Sequence, residues 1–292
     1  MINFQRSNFF PKKKDIDIKS LCVHLENFLL NKKIELNFII NNVSSLEKTY
    51  DNSILFTDQS LDQDFTNFNL CVVTNNVSNF DKNFNNILLV KDLSKSYNVI
   101  INLLYHHEDC LSYFDSFKNK NGSYLSKFAF IDKTVKIGKN CLIGRGVEIG
   151  KNSIIKNNVV LKNAIIGSDV IICDNTSIGT TGFGFEFNTR GSSNLNPQIG
   201  IVYVGNNSHI GSSCTIDRGK IDVTYIGNNC MIDNLVHIAH NVVLHDNACI
   251  AAQTGISGSV KIGSNVTIGG QAGFAGHIDI GDNVIVAAKS GV

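Results

Sequence analysis

The stretch IGNNCMIDNLVHIAHNVVLHDNACIAAQTGISGSVKIGSNVTIGGQAGFAGHIDIGDNVIVAAKSGV (226–292) decides the fold. An apolar residue returns at every sixth position: Ile226, Ile232, Ile238, Leu244, Ile250, Ile256, Ile262, Ile268, Phe274, Ile280, Val286 and Val292. An α-helix would scatter such residues around its axis, and a flat alternating strand would repeat every second residue. A period of six fits short strands joined by tight bends, each sending one side chain into a prism. Small residues are then expected at the crowded or left-handed places beside each corner, where Gly227, Gly263, Gly269 and Gly281 stand. A β-sandwich with regular turns would not hold twelve positions in phase.

Working outward, the same period runs through Ile131, Ile137, Ile143, Ile149, Ile155 and Leu161. It slips by one residue, resumes at Ile166, Ile172 and Ile178, and returns at Val204, Ile210 and Ile216. It breaks at TTGFGFEFNTRGSSNLNPQI (180–199), a loop insertion, and at DRGKIDVTY (217–225). Residues 1–120 lack the period and read as a small α/β domain. There the spacing predicts an amphipathic helix over Ile18–Lys32 and strands at IELNFII (34–40), SILFT (53–57) and LCVVT (70–74). A second helix is expected from Leu93 through His107, and a turn-rich linker at KNKNGS (118–123). The fold class is therefore mainly β: a left-handed parallel β-helix over 121–292 behind the small domain.

The chain has 292 residues, 43% hydrophobic and 17% charged, with a net charge of +1. Only Lys12–Lys14 form a dense basic run, so no footprint for nucleic acid is present. The amino terminus lacks a secretory h-region, and no window is long and apolar enough for a spanning helix. Eight cysteines without a CxxC pair read as reduced, buried thiols, and a cytoplasmic protein is expected. The abundance of Asn and Lys reads as compositional bias.

Four of the eight histidines fall in the last run, where register can be calculated. Three strands complete one turn, so residues eighteen apart stack roughly 4.8 Å from each other. His240 then lies beneath Gly258, and Gly258 beneath Gly276, while Asn241, Ser259 and His277 form the next column. A base, a glycine with an accessible N–H and a second histidine are what acyl transfer to an amine or hydroxyl requires. A metal reading competes, because His237-x-x-His240-x-x-x-x-His245 has ligand-like spacing. His240 and His245 resemble the pair of the β-helical zinc carbonic anhydrases, but residues 217–225 put His209 out of register as third ligand. No metal is expected.

Residues 197–263 resemble the UDP-3-O-acylglucosamine N-acyltransferase family of lipid A synthesis. The most specific parts are Thr215-Ile216-Asp217-Arg218-Gly219 and Ile238-Ala239-His240-Asn241-Val242-Val243, with Gly182-Phe183-Gly184-Phe185 upstream and Gly276-His277 downstream. The resemblance covers about 125–292. It implies a homotrimer with sites in clefts between β-helices. It also implies transfer of a 3-hydroxyacyl chain from acyl carrier protein to the 2-amine of UDP-3-O-(3-hydroxyacyl)glucosamine. No cofactor is implied beyond the carrier's phosphopantetheine thioester.

On the same resemblance His240 matches the catalytic base and Gly258 the oxyanion glycine. His277 matches a substrate-site histidine, Asp233 an acid near the base, and Asn234 its neighbour. Phe56, equally readable as a core residue, aligns with a uracil-stacking aromatic, and Gln59 stands where an asparagine is usual. His245 replaces a usual glycine, and family members continue past the position of Val292 into a helical tail. Rival readings are another hexapeptide-repeat sugar O- or N-acyltransferase and an inactive trimeric scaffold.

Overall fold

The computed structural model describes residues 2, 4–61, 65, 67–80, 82, 84–107, 116–187 and 193–292. It divides into two compact units. One comprises Met1–Phe9, Asp109–Gly184 and Gln198–Val292; the other comprises Phe10–Glu108 with Phe185–Pro197.

The first unit is a left-handed parallel β-helix. Its strands, two to four residues long, build sheets of nine, eight and eight strands. The eighteen-residue register holds through the last run: His237 pairs with Gly255, Gly255 with Gly273, and Cys249 with Thr267. The sixth-position residues from Ile143 to Phe274 are buried, those at the two ends of the coil less so, and a second inner column lies two residues before them. Cys230, Val236, Val242, Ala248, Val260, Val266 and Ala272 all belong to that buried column. Where it holds a hydroxyl or thiol, the group donates to a bend carbonyl one coil on, so no buried donor is wasted. Thr176 Oγ1 donates to the Gly211 carbonyl at 2.7 Å, Ser208 Oγ to Gly227 at 3.0 Å, and Cys214 Sγ to Asp233 at 3.1 Å. Buried cysteines are thus small core residues, and burial pushes the Cys230 thiol up to about 11. Among the described cysteines only Cys249 is exposed; Cys110 lies outside the described residues.

Along one corner of the coil, crowding and left-handed backbone fall on different residues. A Cβ on Gly205 would stand 2.5 Å from the Gly227 backbone. The left-handed place comes two residues later and is held by Asn207, Asn229, Asn247, Asn265 and Asn283, with φ from 56 to 62°. Asparagine tolerates that conformation better than other side chains. Its amides also form a ladder: Nδ2 of Asn229, Asn247 and Asn265 each donates to Oδ1 one coil on, at 3.1, 3.0 and 3.1 Å. The asparagine content is therefore structural along this corner, correcting its reading as compositional bias.

Two more expectations are corrected here. KNKNGS turns the hairpin Phe117–Lys120/Ser123–Ser126 that starts the nine-stranded sheet, with Asn121 and Gly122 left-handed. The 217–225 excursion is anchored inward: Arg218 is buried, its Nε donating to the Gln198 carbonyl at 3.0 Å and Nη1 to Gly179 at 3.2 Å.

The second unit holds a five-stranded sheet ordered Leu29–Ile34, Asn86–Val90, Leu70–Thr74, Ser53–Thr57, Asn42–Ser44. Its first pair is antiparallel and the rest parallel. The two strands expected at 53–57 and 70–74 are present, as is the helix beginning at Leu93, which ends at Leu104. The first helix stops at His24, and the chain to Ile34 becomes an edge strand, because pairing with Asn86–Val90 outweighs helical spacing. The strand expected at 34–40 is absent: Asn86 Oδ1 takes the amides of Glu35 and Leu36 at 3.1 Å each and bends the chain away. Part of the 180–199 insertion forms a hairpin, Phe185–Phe187 with Ser193–Leu195; residues 188–192 lie outside the described residues. No helix among the described residues is long and apolar enough to cross a membrane.

Candidate active site

Thr215–Asp217, His237–Ile238, Gly255–Ile256 and Gly273–Phe274 are successive strands of the nine-stranded sheet. His240 follows two residues after Ile238, half-buried, with its ring in a slot between two glycines. A Cβ on Gly258 would lie 2.8 Å from His240 Cε1 and 2.9 Å from Nε2. A Cβ on Gly182 would lie 2.9 Å from Cδ2, on the ring's other side. Gln198, 2% exposed, holds Gly182 in place: its Oε1 accepts the Gly182 amide at 2.6 Å. The foot of the first insertion is thereby fixed against the imidazole.

The ring's tautomer follows from its neighbours. Asn241 Oδ1 accepts the Lys220 backbone N–H at 2.9 Å, which identifies that atom as oxygen. His240 Nδ1, 3.2 Å from the same oxygen, must then carry the proton and donate. Nε2 lies on the side of Gly258. The orienting partner within the chain is Asn241 and not Asp233. Asp233 follows Met231–Ile232, a strand of a different sheet, and accepts the Asn234 amide at 2.7 Å.

The Gly258 amide is also open. At several corners the amide two residues after the inner aliphatic donates to an Asp or Asn one coil on. Asn228 donates to Asp246 at 2.8 Å, Ser264 to Asp282 at 2.7 Å, and Ser212 to Asn234 at 2.7 Å. Gly258 has Gly276 in that place, and among the described residues its N–H has no hydrogen-bond partner. One glycine pair thus makes room for the ring and leaves a donor open beside Nε2. Asn234 is the cap in this scheme, so its side-chain oxygen is already engaged within the chain.

Sequence reasoning gave Asp217 and His237 no place in the acyl-transfer site. Asp217 is 7% exposed, accepts Thr180 Oγ1 at 3.0 Å, and has Oδ2 3.8 Å from His237 Nε2. Burial pushes its carboxyl up, while His237, Thr180, His240 and Arg218 pull it down. His237 also bonds Thr215 Oγ1 through Nδ1 at 2.8 Å. The available signal was the Thr215–Gly219 text, whose buried acid had no assigned partner.

Of the other sequence candidates, His277 adjoins Gly258 and the rest belong elsewhere. His277 is exposed at a left-handed corner (φ 62°), its amide donating to the Gly258 carbonyl at 3.1 Å. Phe56 and Gln59 belong to the other unit: Phe56 meets Tyr97 edge-on at 5.0 Å, and Gln59 is exposed. His245 sits on another sheet, its ring 6.4 Å from Tyr225, and His209 lies 3.2 Å from Cys173 Sγ. Among the described residues no three His, Cys, Asp or Glu side chains form a metal-holding group.

Residues 128–163 and 224–258 match the bacterial transferase hexapeptide (six repeats) family, and 259–288 the hexapeptide repeat of succinyl-transferase. Fold and repeats together define a left-handed β-helix built of hexapeptide repeats. Curated relatives that match part of the chain are named UDP-3-O-acylglucosamine N-acyltransferase. The chain is 47% identical over 85 residues to that of Leptospira biflexa, covering 29% of this chain and 24% of the relative. It is 52% identical over 82 residues to that of Methylacidiphilum infernorum, covering 28% and 23%. These alignments span about a quarter of each relative's length. Among solved structures, UDP-N-acetylglucosamine O-acyltransferase of Moraxella catarrhalis superposes with a TM-score of 0.54 at 28% identity, covering 59% of this chain and 66% of that one. LpxA of Acinetobacter baumannii gives 0.55 at 25%, with the same coverage.

Proposed function

We propose that this chain is an acyltransferase that moves a 3-hydroxyacyl group from acyl carrier protein to the 2-amine of UDP-3-O-(3-hydroxyacyl)glucosamine. The observation that carries the reading is the slot itself: an imidazole whose Nδ1 is held by Asn241 and whose Nε2 lies beside Gly258, with an open backbone N–H. Nε2 of His240 takes the amine proton as nitrogen attacks the thioester carbon. The Gly258 N–H receives the developing oxyanion. Collapse breaks the C–S bond, and the proton passes from His240 to the leaving sulfur. His277 contributes to substrate binding, Phe56 stacks the uracil ring and Gln59 borders it. Asp233 and Asn234 lie at another corner of the prism, so they serve this site across a subunit boundary in a homotrimer. The names of the N-acyltransferase relatives favour an amine acceptor, and those of the structural neighbours an O-acyl alternative.

The test is His240→Ala, assayed by mass spectrometry with carrier-protein thioesters of graded length and the UDP-sugar amine. Loss of a positioned general base costs about 10²- to 10⁴-fold in kcat, with an unchanged melting temperature. Retention of most of the wild-type kcat overturns the assignment.

A further inference from the structure

We propose that Asp217 is the intrachain positioning residue of the base: its buried carboxylate is shared between His237 and His240 and supports the imidazolium formed during transfer. The inference rests on the proposed acyl-transfer reading of His240. A carboxylate 7% exposed is costly to keep unless something needs its charge. Its hydrogen-bond environment is thin for a structural role, with Thr180 Oγ1 as hydroxyl donor and His237 Nε2 at 3.8 Å. Fixed geometry holds it there. Thr180 pairs with Asp217 across a register shift between adjacent strands, and the Arg218 amide donates to the Thr180 carbonyl at 2.9 Å. Two residues after Thr180 comes Gly182, the glycine that meets His240. The same short segment therefore seats the acid and one wall of the base's slot.

The chemistry follows from charge. Before transfer the His240 Nδ1 proton is held by Asn241. When Nε2 takes the amine proton, a positive ring forms beside a carboxylate that polar solvent barely reaches, where the attraction is strongly felt. Asp217 has Thr180 Oγ1 and His237 Nε2 as nearest polar partners and Arg218 beside it in sequence; the Ile216–Ile238 pairing and the Gly182 contact put His240 one coil on, beyond ion-pair distance but within reach of its charge. His237, once protonated, competes for the same carboxylate. Asn241 fixes the tautomer and Asp217 stabilises the charge, two tasks that one aspartate performs in a triad.

The experiment compares wild type, Asp217→Asn, Asp217→Glu and His237→Gln over a pH series, in kinetics and in NMR titration of the histidine rings. In Asp217→Asn, kcat is expected to fall by tenfold or more, short of the roughly 10⁴-fold loss when a triad aspartate is replaced. KM stays within about twofold, and the acid limb of the rate profile moves to lower pH. Asp217→Glu restores part of kcat, and His237→Gln, which leaves the carboxylate to His240 alone, moves the acid limb to higher pH. A kcat for Asp217→Asn within threefold of wild type, or an unmoved acid limb, overturns the proposal. The ring titrations separate the two readings. If the wild type transfers no acyl group, the proposed function fails; unchanged ring midpoints in Asp217→Asn sink the Asp217 assignment whatever the activity.

Discussion

At the scale of single residues, chemistry here is set against stability. The Asp217 carboxyl is raised by burial, so its ionised form is disfavoured in the folded chain. An acid whose folded value lies above its unfolded one destabilises the fold at pH above both values, and that cost fades as the pH falls through them. An asparagine in place of the acid keeps an oxygen for Thr180 and carries no charge. Asp217→Asn should therefore raise the melting temperature at pH 7.5, with the gain shrinking on acidification into the carboxylate range. Calorimetry across pH 4 to 8 measures this; a lower melting temperature at pH 7.5 would contradict it. Activity and stability are predicted to move in opposite directions at one residue, as expected where a site is held against its own preference.

At the scale of the coil, two columns of side chains and one of backbone do the work. Replacing Asn247 tests this directly, since it has φ 62° and both gives and receives a ladder bond. Asn247→Ala places a Cβ in left-handed backbone, at roughly 1–2 kcal/mol, and breaks the ladder. Asn247→Gly breaks only the ladder. Thermal melts should rank wild type above Asn247→Gly and Asn247→Gly above Asn247→Ala; equal values for the two variants would remove the backbone term. This element was largely legible in advance. Period six forced the coil, and the eighteen-residue stack placed His240 beneath Gly258 correctly. What stayed hidden depends on atoms more than on spacing. Asn241 orients the ring because a Lys220 amide fixes its oxygen, and Asp217 is met only once the insertion's foot folds back. The edge strand Leu29–Ile34 was hidden too, because its partner Asn86–Val90 lies more than fifty residues on.

At the scale of the molecule, assembly and length come into play. If Asp233 and Asn234 serve bases on neighbouring copies, closure by one repeated contact gives a cyclic trimer. Light scattering should then report about three times 32.0 kDa, and a fully active monomer would exclude sites shared between copies. The corner at His240 also constrains how such a chain can change size. Each turn is three strands of six residues, so adding or removing six or twelve residues between His240 and Gly258 carries the glycine to a different edge of the prism. Only a change of eighteen returns a residue to that edge, and even that inserts a foreign coil between imidazole and amide. The coils beyond are free to multiply in whole turns, while the coil from His240 to Gly258 admits no change of length at all.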